Sequence, residues 1–425
     1  MKKLIIILLF SPLWILLFSS QSFSQNIKIQ SIRFEGIKKN KSSYLQKNIQ
    51  VMVGDSIDTS MLAKDIQNLN ALPSVANTDY TLDTLDNDIH LVFYIEEAIT
   101  AFPIFNIGLI EENIWFKVGY GSFNLFGLGH QINAGYQYSD DRHDFFFFYR
   151  LPYWGRSNWG SAISLSKYAS EEPLFFNEGT VNYEYEIRSA EITTSYSFTP
   201  SHIAEFSFAY FTENYRQSSE QELVAPPGPV ALDESKLLLK LNHHFRKLRY
   251  HYYMINGWEN RFTIQEVFNF HDGSQFISFT DQLSMFKIIG KRTNLAARFR
   301  FGIASNKNSP FAPYVLDSYV NIRGVGNRVD RGTAMATLNL ELRYRIFDIK
   351  NIASQIVMFS DQGNWRNPGG KIEELIQGEK YRHFIGGGIR LIYRKGYNYV
   401  LRVDYGFDTN DFRERGFVLG VGQYF

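Results

Sequence analysis

The sequence predicts a mainly β protein: a transmembrane antiparallel β-barrel of about 16 strands preceded by one small α/β domain. Three observations carry this. From residue 104 to 425 the chain alternates in apolar character, in runs of about 10 residues, the length a tilted strand needs to cross a bilayer. Between residues 25 and 98 strand and helix patterns interleave instead. Residues 1–24 read as an export leader.

The leader opens on Lys2 and Lys3. Leu4 to Phe18 is apolar, interrupted by Ser11 and Pro12, and Ser22-Phe23-Ser24 offers small residues before a cut at Gln25. A membrane anchor is the competing reading; the core is short for one and polar residues follow it. Without a cysteine at the cut, a lipoprotein is excluded. Past residue 25 no stretch is apolar enough for a membrane helix. The net charge of +1 gives no nucleic-acid signal. Aromatic residues make up 16% of the chain, with 37 Phe and 26 Tyr, which is high for a soluble protein. Cysteine is absent, which removes disulfides and thiolate metal sites.

In the N-terminal region, Ile27, Ile29 and Ile32 begin a strand ending in Phe34-Glu35-Gly36. A helical pattern runs from Lys39 to Gln50, with Tyr44, Leu45 and Ile49 apolar. Asp58-Thr59-Ser60 is a helix start, and Leu62, Ile66 and Leu69 share the following helix face. Thr78 to Leu85 alternates, Asp86-Asn87-Asp88 is a turn, and Ile89 to Glu96 is a further strand. The order is strand, helix, helix, strand, strand.

The remainder supplies strand candidates such as Ile132–Tyr138, Asp144–Tyr149, Ile203–Phe211, Leu237–Phe245, Asn294–Phe301 and Tyr399–Phe407. Tight turns fall at Thr199–His202, Gly290–Arg292 and Lys395-Gly396. Longer polar loops are expected near 170–189, 214–235, 304–332 and 364–383. Short turns on one side and long loops on the other are the habit of outer-membrane barrels; a soluble sandwich or propeller is the alternative. In the last strand Phe417, Leu419, Val421 and Phe425 fall on one face, with Gly420 and Gly422 on the other. Glycine weakens a strand's hold on its neighbour. The expected weak seam therefore joins Phe105, Ile107 and Gly108 near the barrel start to Gly420, Gly422 and Phe425 at its end.

Catalytic and cofactor motifs are missing. There is no G-x-S-x-G, H-E-x-x-H or phosphate-cradling loop, and no acid–His–Ser grouping is evident along the chain. Gly386-Gly387-Gly388 lies on a strand and is read as easing its curvature. His243 and His244 are adjacent on a strand and so point to opposite faces. Ala225-Pro226-Pro227-Gly228-Pro229 is a rigid, exposed loop. No enzyme activity, cofactor or metal is expected.

What stands out is charge. Ile322-Arg323-Gly324 sits in a loop-like stretch. Glu341 lies on the strand Ala336–Arg343, and Phe359-Ser360-Asp361-Gln362-Gly363 lies on the next. An arginine at a loop tip facing two carboxylates on neighbouring strands makes a clamp. In open water it is worth little; inside a barrel it can fix a loop. Arg343 reads as a mere lumen or rim charge.

Residues 27–97 resemble a polypeptide-transport-associated (POTRA) domain, on the element order, Phe34-Glu35-Gly36 and Gly54-Asp55. Asn124-Leu125-Phe126-Gly127-Leu128-Gly129, Ile322-Arg323-Gly324, Glu341, Phe359-x-Asp361-x-Gly363 and Asp404-Tyr405-Gly406 follow in the order seen in one superfamily. It includes BamA-type barrel assembly proteins, the translocation and assembly module and two-partner secretion transporters. Val325 stands where an aromatic is common, and Gln423 departs from the terminal sorting signal that a final aromatic resembles. The resemblance implies a loop folded into the lumen, with Arg323 and Gly324 held against Glu341, Asp361 and Gly363. That clamp stabilises the barrel, holds the loop while the seam opens, or does both. The implied function is insertion or translocation of outer-membrane or secreted client polypeptides, in contact with outer-membrane lipid. Periplasmic or lipoprotein accessory subunits have a place in it; nucleic acid has none. The implied location is the bacterial outer membrane, with the N-terminal domain in the periplasm. Export of one dedicated partner and a passive pore are the alternatives; the first usually has two periplasmic modules and a plug helix.

Overall fold

The computed structural model of the 425-residue chain describes residues 28–425 except 86–87, 111–112, 140–141, 177–178, 219–227, 308–312, 317–320, 326–329 and 377–380. The expected leader and part of the proline-rich loop lie outside these.

The N-terminal domain consists of β1 (Ile29–Glu35), α1 (Ser42–Gln46), α2 (Thr59–Asn70), β2 (Val75–Leu85) and β3 (Asp88–Glu97). The sheet order is β1-β3-β2, with β1 parallel and β2 antiparallel to β3. The apolar periodicity builds its core: Ile29, Tyr44, Leu45, Leu62, Leu69, Leu91, Phe93 and Ile95 are buried together. Asp58 caps α2, accepting the amide hydrogens of Ser60 and Met61 at 2.8 and 3.3 Å. Helix α1 is shorter than the Lys39–Gln50 pattern predicts. The buried Asp65 carboxylate takes the amides of Gln50 and Val51 at 2.8 and 3.0 Å, which draws the chain out of the helix.

The remaining strands form one antiparallel sheet of 16. Its first half is β4 (Ala101–Ile110), β5 (Asn113–Leu125), β6 (His130–Ser139), β7 (Arg142–Leu151), β8 (Trp159–Phe176), β9 (Gly179–Thr199), β10 (His202–Gln217) and β11 (Ala231–His251). It continues through β12 (Met254–Asn269), β13 (Gln275–Ile289) and β14 (Thr293–Ala304). A small hairpin, β15 (Tyr314–Leu316) and β16 (Asp330–Gly332), interrupts the order. Then come β17 (Ala334–Ile349), β18 (Ile352–Arg366), β19 (Arg382–Tyr393), β20 (Val400–Asp408) and β21 (Arg415–Val421). Each strand pairs with its chain neighbour, and β14 pairs with β17 across the hairpin.

The expected loop at 170–189 is instead ladder: β8 and β9 run through it, paired to Phe176↔Gly179. Leu174, Val181, Tyr183 and Tyr215 bury one another there, giving the upper parts of these strands a core of their own. Strand alternation sorts the faces as predicted. Phe206, Phe208, Leu295, Leu340, Met358, Ile389 and Leu401 are exposed outward, while charged partners line the inside.

Candidate functional site

Arg323 is fully buried and makes the clamp. Its Nε donates to Asp361 Oδ2 at 2.8 Å and its Nη2 to Asp361 Oδ1 at 3.0 Å. This side-on fork is reinforced by its own amide, which donates to Asp361 Oδ2 at 3.0 Å. Its Nη1 donates to Glu341. The guanidinium stacks on the Phe359 ring at 3.7 Å. Asn339 Nδ2 donates to the Asn321 carbonyl at 2.8 Å, and Ile322 and Val325 bury against Leu316, Trp365 and Phe384. A valine in place of the family's aromatic therefore still fills a packed site.

The glycines of the motifs mark close approaches. Gly324 has φ +97°, and a Cβ there would sit 2.7 Å from the Gly406 backbone. A Cβ on Gly363 would press into the Ile322 side chain at 2.6 Å. Gly386 does more than bend its strand: a Cβ would strike the Phe359 ring at 2.5 Å, so its absence makes room for the ring that carries Arg323.

The clamp is larger than the sequence suggests. Arg343 is no rim charge: it is fully buried, and its Nε donates to Glu341 Oε1 at 2.5 Å. Arg390 lies 3.6 Å from Glu341 and donates to Asp404 Oδ1 at 2.7 Å; Arg402 lies 3.4 Å from Asp404. Arg323, Arg343, Arg390 and Arg402 thus face Glu341, Asp361 and Asp404, four cations against three anions. Strand alternation places the six strand residues inside, but nothing in their spacing separates a shared cluster from isolated lumen charges.

The seam is open. Strands β4 and β21 end the sheet, and among the described residues no ladder joins them. Phe105, Ile107 and Gly108 pair with Val118, Phe116 and Trp115 of β5. Near the domain the start of β4 meets the turn between β19 and β20: Ile99 bridges Gly396, and Tyr399 Oη donates to the Ala101 carbonyl at 2.8 Å. Phe417, Leu419 and Val421 face outward as predicted, and Gly420 leaves room for the Arg402 side chain. Phe425 does not join that face. Gly422, at φ +91°, turns the chain inward after β21. Tyr424 then lies under Arg323 at 4.2 Å, Arg402 at 4.8 Å and Arg298 at 5.2 Å. Phe425 lies under Arg298 at 4.9 Å, and its carbonyl accepts from Arg343 Nη2 at 2.8 Å. Burial over four guanidiniums outweighs continuation of the outward pattern.

The N-terminal domain docks across the same end of the barrel. Its Lys41 amide donates to the Gly127 carbonyl at 2.9 Å, Asn124 Nδ2 to Asn40 Oδ1 at 3.1 Å, and Lys395 pairs with Glu96 at 2.8 Å. Gly127 has φ +74°, and the Lys39 carbonyl occupies the space of any side chain it could carry. Glu97 fixes the docking loop by accepting from the Asn40 amide and, at 2.8 Å, from Asn40 Nδ2. Burial opposes its charge, but the hydrogen bonds from Asn40, Lys39 and Lys38 outweigh that and hold its carboxyl below the usual range. Beside this junction a cleft of about 1480 Å³ runs along β1, lined by Ile32, Phe34, Tyr44, Tyr153 and Trp154. From Ser31 to Glu35, β1 pairs only with β3, so its other edge is free among the described residues. His243 and His244 do split between faces: His243 meets His202, and His244 meets Glu259.

A 16-stranded antiparallel sheet behind a β-α-α-β-β module, with an arginine loop pinned in its lumen, defines a POTRA–barrel protein of the outer-membrane type. Residues 124–425 match the Omp85 superfamily domain, and residues 27–98 match the POTRA family described as surface antigen variable number repeat. The chain belongs to the Omp85 superfamily. No curated protein matches it in sequence. Among solved structures it is similar to BamA from Haemophilus ducreyi lacking POTRA domains 1–3, with TM-score 0.51, 14% identity, and coverage of 92% of this chain and 83% of that one. It is similar to CdiB from Acinetobacter baumannii, with TM-score 0.55, 16% identity, and coverage of 94% and 74%. It is also similar to CdiB from Escherichia coli, with TM-score 0.57, 13% identity, and coverage of 93% and 74%. At these identities the likeness is one of fold.

Proposed function

We propose that this protein sits in the bacterial outer membrane, its N-terminal domain in the periplasm, and inserts or translocates client polypeptides through strand exchange at the β4–β21 seam. Superfamily membership supports the general activity, since Omp85 proteins insert or translocate polypeptides. The observation that carries the mechanism is the seam itself: two strand margins that share no ladder among the described residues, one followed by a segment turned into the lumen. An unpaired margin is a template for an incoming strand. The free β1 edge along its aromatic cleft would receive the client first, by strand addition. The clamp would keep the lumenal loop in place while the seam widens. None of these strand-exchange steps needs a cofactor or the making of a covalent bond.

Cysteines at Ile107 and Leu419, joined by a bis-maleimide of matching span, test the seam. The cross-link should stop client delivery in cells depleted of the native protein, while a similar link between β11 and β12 should not. Undiminished delivery with the seam locked would refute strand exchange and leave passage through the lumen.

A further inference from the structure

The strand that carries the clamp has a second face. Phe359 and Asp361 point into the lumen, so Ser360 and Gln362 point outward. By the same alternation the buried Phe384 places His383 outward on β19, and the buried Asp408 places Thr409 outward beyond β20. These side chains meet. Ser360 Oγ and His383 Nε2 are 2.9 Å apart. His383 Nδ1 and Thr409 Oγ1 are 3.2 Å apart. Gln362 Nε2 donates to Ser360 Oγ at 3.3 Å. All four are partly exposed.

Their level on the barrel is informative. Toward the domain side, the outward positions are Met358, Ile356, Ile389, Leu391, Val403 and Leu401, all exposed and apolar. On the far side Tyr381 rings His383, and Phe412 packs on Phe407. Ser360 is eight residues along β18 from Ile352, roughly 26 Å of strand at about 3.3 Å per residue. With the usual tilt this is a rise of about 20 Å against an apolar band of about 25 Å. The polar group therefore lies at the far edge of the band, where acyl chains give way to head groups and lipid ester carbonyls are found.

We propose that Ser360, His383 and Thr409 form a lipid-facing nucleophile, base and orienting group that hydrolyses acyl esters at this interface. Thr409 Oγ1 accepts the Nδ1 proton of His383, which turns the Nε2 lone pair toward Ser360. Ser360 Oγ attacks the ester carbonyl carbon and its proton passes to His383 Nε2. Gln362 Nε2 donates to the oxyanion. The C–O bond to the alcohol then breaks, and the alcohol leaves with the proton from His383. Water, deprotonated by His383, attacks the acyl-serine, releases the fatty acid and restores the Ser360 hydroxyl. Overall, ester and water give acid and alcohol. Such a set is recognised by geometry and roles rather than chain order, so the lack of a G-x-S-x-G elbow does not bear on it. The activity is independent of polypeptide handling.

The full-length protein in lipid–detergent micelles is treated with a fluorophosphonate probe, and the labelled residue is located by mass spectrometry. Hydrolysis of p-nitrophenyl octanoate is followed in parallel. The label should fall on Ser360 and vanish in Ser360→Ala, and His383→Gln should lower hydrolysis about 10²-fold or more. Thr409→Val should lower kcat, leave KM unchanged and shift the pH profile, which loss of mere packing would not do. Ser360→Cys, nearly isosteric, should trap an acyl-thioester and covers the case of a poorly folding alanine variant. No label, a label on another serine, or unchanged hydrolysis by both Ser360 variants overturns the assignment and leaves the group as interfacial polarity alone.

Discussion

Replacing Arg323 by glutamine tests whether the clamp is held by charge or by packing. The two carboxylates differ in what remains to them. Glu341 keeps Arg343 at 2.5 Å and Arg390 at 3.6 Å. Among the described residues, Arg323 supplies the hydrogen bonds that anchor Asp361: two from the side chain and one from the amide, which survives the substitution. Arg323→Gln therefore strands one buried carboxylate, which costs about 3–5 kcal/mol. Asp361→Asn alone leaves Arg323 with Glu341 and, at 3.9 Å, Asp404, and should cost less, about 1–3 kcal/mol. In the double variant a neutral amide pair replaces fork and carboxylate, so the costs should fall short of their sum by about 2 kcal/mol. Urea unfolding in micelles, followed by the shift between folded and unfolded bands on gels, measures all three. Additivity within about 0.5 kcal/mol would mean the charges are not coupled, and the clamp would reduce to shape.

Gly127→Ala should loosen the docked domain, because φ +74° becomes strained and the Lys39 carbonyl must move; the strain is about 1–3 kcal/mol, visible as faster proteolysis near residue 99. Acid should have a similar effect through Glu97. Its folded pKa lies below the unfolded one, so its contribution is present above the unfolded carboxylate value and fades as pH falls; Glu97→Gln should flatten that dependence. Arg343→Gln, once Arg343 is recognised as a clamp member, should destabilise measurably, by about 1–3 kcal/mol, rather than behave as a surface change. Tyr424→Ala should mobilise a spin label at Gln423, and a label left rigid would show that the segment is held by other contacts.

The fold was legible where periodicity is forced by burial. Leu62, Ile66 and Leu69 announce α2, and alternation announces the strands, since one face must be apolar and the other not. The reach of β8 and β9 was not legible, because Glu171, Glu172 and Glu184 read as loop while their partners across the ladder were unknown. Arg323, Glu341 and Asp361 could be named from their motifs. Asp404 could also be named from its motif, but its place in the clamp, like that of Arg390 and Arg402, follows from a long-range register that local spacing does not encode. Alternation puts Phe425 on the outer face only if the strand runs unbroken, and one positive φ at Gly422 breaks it.

Tyr424 lies under the guanidinium of the lumenal loop, two residues beyond the turn at Gly422 that ends the strand bordering the seam. Two parts of the molecule thus share one residue, and their equilibria are linked. Whatever free energy loop retention adds to the inward position of the tail, the inward tail returns to loop retention. A client that draws the tail outward should therefore loosen the loop, and a variant that frees the loop should make the tail easier to draw. Each would lower the work needed for the other by the same amount.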